Sequence, residues 1–166
     1  VPQVAEMLGL SAVEMTTLER AAELFKSDLV TQMVVELTSL QGIMGREYAR
    51  LSGEPEGVAT AIFEHYLPRF QGDALPQTKP GLALGIANRL DSLVGLFAVG
   101  LAPTGSADPF GLRRDALGLV QTLIGAEQPF DLRPAVAAAA ELQPVPVEAS
   151  VLTEVLTFIR GRLYGW

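Results

Sequence analysis

Few side chains in this sequence are able to do chemistry near neutral pH, and the first is its single histidine, His65, in Glu64-His65-Tyr66. An imidazole changes charge near neutrality, which suits acid–base work. Its nearest carboxylate, Glu64, is a chain neighbour, and adjacent residues on a helix point apart. The other reading is a helix-end histidine bonded to backbone or stacked on a base or ring. The pairs Glu54/Glu56 and Asp108/Asp115 have the composition of a general acid and base. Glu54 and Asp108 also stand where helix N-terminal caps belong. Between Pro103 and Gly111 lies a small-residue loop leading into a helix, and amides at such a start bind phosphate. Its phosphate-loop candidates are Thr104, Gly105 and Ser106. The loop lacks the lysine and spacing of a P-loop, so nucleotide hydrolysis is not indicated. Arg113-Arg114 follow within the first turn, where the helix dipole disfavours cations by about a few tenths of a kcal/mol each. The pair invites an anionic partner, unless Asp108 or Asp115 balances it. Arg46 and Arg50, four apart, share one helix face, either solvated or anion-binding.

The elements that carry these residues read as helices throughout. Ser11 and Glu14 have the form of a capping box. From Met15 to Met33, apolar residues recur at three- and four-residue steps, marking a long helix or two abutting ones joined near Asp28. Leu40, Ile43, Met44 and Tyr48 start another helix, ended around Gly53. Pro55 opens the next, which stops before Pro68. Residues 69–81 read as loop, with Thr78 capping the next helix. The stretch 82–99 is apolar on most sides and therefore central. Asp108-Pro109 reads as a cap and first-turn proline opening a further helix. Residues 131–142 form a short alanine-rich helix, and Val147 to Leu163 a last amphipathic one. The expected organisation is a helical domain over 1–142, a Pro-rich spacer over 143–147, and a C-terminal helix over 148–166. That helix either packs on the domain or leads to another.

Composition bounds the function. The 166 residues are 49% hydrophobic and 19% charged, which excludes a disordered chain. With no cysteine, disulfides and thiolate chemistry are out; one histidine excludes sites needing two. The net charge of −7 argues against a dedicated nucleic-acid binder. Residues 38–114 are electrically neutral, with seven basic and seven acidic side chains, so an anionic partner should meet that third. No apolar run approaches the about 18 residues of a membrane span, so none is expected. The chain opens on Val1-Pro2 without a charged-then-apolar leader, so no signal peptide is expected, and the missing start methionine with the end at Gly165-Trp166 makes an interior piece of something longer the expectation.

Leu40-Gln41-Gly42-Ile43-Met44-Gly45-Arg46, followed by Tyr48-Ala49, resembles the LQGxMGxxYA signature of the β subunit of bacterial tetrameric glycyl-tRNA synthetase. The similarity continues through Gly53-Glu54, Glu64-His65-Tyr66, Gly72-Asp73 and Leu75-Pro76. Leu90-Asp91-Ser92-Leu93 with Gly95 is similar to ADKxDTLxG, and 103–118 to PTGSxDPFALRRxALG. The resemblance is strong over about residues 20–120.

It implies an all-α, HD-like helical bundle within an α2β2, class II glycine–tRNA ligase of the cytoplasm. The α subunit would hold ATP, Mg and the aminoacylation chemistry, and the β subunit would chiefly engage tRNA(Gly). The fragment is then expected to be catalytically inactive, monomeric when alone, and without a cofactor or metal of its own. A working HD phosphohydrolase holds metal with histidines and aspartates. The matching positions here fall on Gln41, Gly42 and Asn88, so the centre is expected to be degenerate. The RNA-contact candidates are Arg113, Arg114, Arg46, Arg50, Arg69 and Lys79. The alternatives are a residual metal-dependent phosphohydrolase and a purely structural interdomain module.

Overall fold

Ser11 shows how local chemistry starts the helices in this computed structural model, which describes residues 1–70, 72–127 and 129–163. Its hydroxyl accepts from the Glu14 amide, while the Glu14 carboxylate accepts from the Ser11 amide at 2.8 Å, completing the capping box. The described residues form α1 (Pro2–Met7), α2 (Ala12–Leu24), α3 (Gln32–Glu36), α4 (Ile43–Leu51), α5 (Glu56–Glu64), α6 (Lys79–Ala98), α7 (Leu112–Gly125), α8 (Leu132–Glu141) and α9 (Ala149–Leu163). Among them there is no strand, only an isolated bridge between Thr104 and Ala107. The all-α expectation holds.

The chain divides into two compact units, Val1–Gly85 and Ile86–Trp166. In the first, α2 and α4 both pack on α5, burying Leu18, Ala21, Ala49, Val58, Ala59 and Ile62. Of the two expected arrangements, one long helix or two abutting ones joined near Asp28, the chain adopts the second, with α2 ending at Leu24. A 3-10 turn, Ser27–Val30, carries Asp28 inward and leads to α3. In the second unit, α9 packs on α7 and α8, with Leu119, Val120, Val136, Val155 and Ile159 buried.

α6 runs through the boundary between the units. Thr78 caps it as expected, its hydroxyl accepting from the Gly81 amide at 3.1 Å. Leu82, Ala83 and Leu84 are buried before the boundary, and Ile86, Leu90, Leu93 and Val94 after it. By length and composition alone the helix would be long and apolar enough to cross a membrane. More than half of its most apolar window is nevertheless buried within the protein, as a core helix would be.

Two expected caps are corrected. Glu54 does not cap α5; Pro55 holds that position, and the Glu54 carboxylate instead binds the Arg20 guanidinium of α2 through Nε at 3.0 Å and through Nη2. The helix expected from Asp108-Pro109 begins three residues later, at Leu112, after Gly111 in a left-handed conformation at φ +70°.

Candidate functional site

The signature segment before α4 folds around a buried acid. Asp28 is 1% exposed, and its Oδ2 accepts from the Gly42 amide at 2.7 Å and the Gly45 amide at 3.1 Å. A carboxylate at a helix start satisfies orphan donors and complements the dipole. Both glycines are required by close approach. Gly42 adopts φ +76°, and a Cβ there would lie 2.3 Å from the Tyr66 ring. A Cβ on Gly45 would lie 2.9 Å from Ile62 and 3.1 Å from Asp28 Oδ2. Burial, with the Asp28 charge adding to it, pushes the Tyr66 hydroxyl up to about 12.

Glu64-His65-Tyr66 serves the same core. His65 is 1% exposed, with Nδ1 2.5 Å from the Ile62 carbonyl, which accepts its proton. Its ring meets Phe25 edge-on at 4.9 Å and Tyr66 at 3.9 Å. This is the backbone-bonded, stacked alternative rather than an acid–base site. Buried Glu64 accepts from the Gln77 amide at 2.9 Å, the Thr78 amide at 3.0 Å and the Thr78 hydroxyl at 2.5 Å, anchoring the loop before α6. Those bonds leave it a structural anchor.

Of the positions matching an HD centre, Gln41 is exposed in a turn and Gly42 is buried in the cradle of Asp28. Asn88 is half-buried on α6, in the second unit. None of the three offers an imidazole or a carboxylate. Among the described residues no three histidine, aspartate or glutamate side chains gather where they could hold a metal ion.

The start of α7 gathers the candidates at 104–106 and 113–114. Asp108 reaches across Pro109-Phe110-Gly111 to accept from the Leu112 and Arg113 amides, both at 2.9 Å. The first helical amides are thus committed to a carboxylate of this chain. Thr104 and Ala107 exchange two backbone hydrogen bonds, closing a turn that exposes Gly105 and Ser106. Arg113 grips this turn, donating from Nη2 to the Gly105 carbonyl at 2.7 Å and from Nη1 to that of Ala107 at 3.3 Å. Its guanidinium thus bonds carbonyls, and Asp108 bonds its backbone amide instead. Arg114 is exposed, and its guanidinium lies over Gly111, where a Cβ would come within 2.9 Å of Nη2. Among the described residues its guanidinium makes no hydrogen bond or ion pair.

The other candidate cations lie in the first unit. Arg46 bonds Glu47 at 3.0 Å and sits 4.6 Å over the Phe63 ring. Arg50 bonds Glu47 and Glu56. Arg69 makes a two-point bond to Asp73, Nε at 2.8 Å and Nη2 at 3.1 Å. That contact holds the Asp73 carboxyl down at about 2. Lys79 Nζ donates to the Gly9 carbonyl at 3.1 Å.

Sequence reasoning missed Arg89. It is 5% exposed on α6 with its guanidinium over Gly118 of α7, and a Cβ there would lie 3.1 Å from Nε. Burial pushes this guanidinium down to about 10, while the Asp115 charge works the other way. Its only advance signal was a lone cation inside the most apolar stretch. Also missed was an exposed apolar run, Leu29, Val30, Met33, Val35 and Leu37, within which Glu36 is the single charge. Its three-to-four-residue steps resemble those of a core helix.

Comparison with known proteins agrees with this reading of the signature. The family model described as glycyl-tRNA synthetase beta subunit matches residues 1–166. The glycine–tRNA ligase beta subunit of Myxococcus xanthus is 52% identical over 165 residues, covering 92% of this chain and 23% of the relative. That of Halothermothrix orenii is 53% identical over 130 residues, covering 78% and 19%, and that of Shewanella baltica 44% over 164, covering 98% and 23%. The chain therefore spans less than a quarter of these relatives. With the family model matched from end to end, the chain belongs to the glycyl-tRNA synthetase beta subunit family.

Proposed function

We propose that this part of the β subunit is a non-catalytic, HD-like scaffold that binds and positions tRNA(Gly) for glycylation by the α subunit of an α2β2 ligase in the cytoplasm. ATP and Mg would act at the α subunit. The observation that carries the reading is the start of α7. There Arg114 presents an exposed guanidinium that, among the described residues, pairs with no acid, beside a turn that Arg113 holds in shape. Asp108 is engaged by the Leu112 and Arg113 amides, which leaves the Arg114 guanidinium available, and guanidinium binds phosphate in a fork. Arg114 is thus the phosphate contact, and Arg113 acts through the turn that it positions. Thr104, Gly105 and Ser106 belong to this α7 surface, while Arg46, Arg50, Arg69 and Lys79 are separate RNA-contact candidates within the first unit.

The test is Arg114→Ala in the intact ligase. Its KM for tRNA should rise and the salt dependence of tRNA binding flatten by nearly one unit of slope. Glycine-dependent pyrophosphate exchange without tRNA separates loss of RNA binding from damage to the adenylating site. Normal charging at low and high salt would refute the reading. A purely structural role draws support from the exposed apolar run Leu29–Leu37. That role predicts subunit dissociation after Val30→Lys with Val35→Lys, and no effect of Arg114→Ala.

A further inference from the structure

One feature of the first unit is used neither by the core nor by the α7 site. Arg46, Phe63, Arg69 and Phe70 form a ladder in which cations and rings alternate. The Arg46 guanidinium lies 4.6 Å from the Phe63 centroid, and that of Arg69 lies 5.7 Å from both Phe63 and Phe70. Each cation is steadied by an acid: Glu47 holds Arg46 through Nε, and Asp73 holds Arg69 through Nε and Nη2. Asp73 Oδ2 also accepts from the Arg69 backbone amide at 2.9 Å, so the residue preceding Phe70 is held through both its backbone and its side chain. Phe63 is half-buried, whereas Phe70, at the open end, is 62% exposed.

A phenylalanine so exposed gains little from the core, yet a fixed cation lies against it. Among the described residues, Nη1 of Arg69 and both Nη atoms of Arg46 have no acceptor, so their N–H groups remain able to donate. A flat ring with cationic donors alongside matches an unpaired nucleotide, whose base stacks while its phosphate accepts. An apolar protein surface would use the ring but leave those donors desolvated without acceptors.

We propose that Phe70 is a stacking platform for an unpaired base of the bound RNA, with Arg69 and Arg46 meeting the adjoining phosphate. The proposal rests on the RNA-binding reading above, but it concerns a different contact and a different physical interaction. Stacking releases no counterions, so losing Phe70 weakens binding without changing its salt slope, whereas losing Arg114 changes the slope.

The experiment uses the intact ligase and a tRNA(Gly) transcript, comparing Phe70→Ala, Phe70→Trp and Arg114→Ala. Phe70→Ala should raise the Kd for tRNA about 5-fold or more, with an unaltered salt slope and melting temperature. Phe70→Trp should restore or tighten binding. If Phe70→Ala binds normally while Arg114→Ala is weakened, the platform is wrong and the RNA reading stands. If both bind normally, both are wrong. If Phe70→Ala lowers the melting temperature or releases the α subunit, the ring is a protein contact and the platform is overturned.

Discussion

Asp28 and Gly42 lie fourteen residues apart and meet through a 2.7 Å hydrogen bond from the Gly42 amide to the buried carboxylate. With the Gly45 amide on the same oxygen, the signature's glycines become an acid-binding helix start. Removing the acid strands two buried donors, which costs about 1–3 kcal/mol for each donor left unsatisfied. Asp28→Ala should therefore destabilise the β chain by about 2–4 kcal/mol in chemical denaturation. Gly42→Ala should cost at least as much, because it adds a positive-φ strain to a collision with Tyr66. An unchanged midpoint in both variants would show that the cradle contributes nothing.

The Arg69–Asp73 pair makes a pH prediction. The folded carboxyl sits at about 2 against an ordinary 3.8, held down first by the Arg69 guanidinium. A lowered acid stabilises the fold above its unfolded value and loses that contribution as pH falls through the folded one. The Arg69–Asp73 contact should thus persist at pH 5 and be lost between about pH 4 and pH 2. A carboxyl NMR titration of Asp73 checks this, and a midpoint near 4 would contradict it. Arg69→Ala should move that midpoint up.

Arg113 and Arg114 should separate by assay. Arg113→Ala removes the bonds to the Gly105 and Ala107 carbonyls, so the 104–107 turn should become quicker to nick by protease. Arg114→Ala touches no such bond and should leave the nicking rate alone. Equal rates in the two variants would deny Arg113 its positioning role.

Two helix glycines make opposite predictions. A Cβ on Gly118 meets the buried Arg89 guanidinium at 3.1–3.3 Å, so Gly118→Ala should cost stability, by about 1 kcal/mol. A Cβ on Gly161 of α9 meets nothing within 4 Å, so Gly161→Ala should gain about 0.5–1 kcal/mol. Thermal melting of the two variants reads both signs.

What the sequence determined by itself is whatever depends on neighbours within about one helical turn. The Ser11–Glu14 box, the Thr78 cap, the break at Asp28 and the apolar face of α6 were legible because each is set by spacing along a few residues. The family signature was legible too, as a string of residue types, but not the reason for its glycines. That reason needs Asp28 and Tyr66, fourteen residues before and twenty-four after Gly42. Only the tertiary structure decided that Glu54 pairs with Arg20 instead of capping α5, and that Glu64 ties down Thr78. It likewise decided that Gly111 holds the cap position of α7 and that Asp108 reaches its first amides only across an intervening Pro-Phe-Gly turn. A side chain's partner across the fold depends on which surfaces the core brings together, and local propensity does not encode that choice. The two arginines at 113 and 114 make the same point most sharply. They are identical in type and adjacent in sequence, and the path of one loop leaves Arg113 holding carbonyls and Arg114 exposed to solvent.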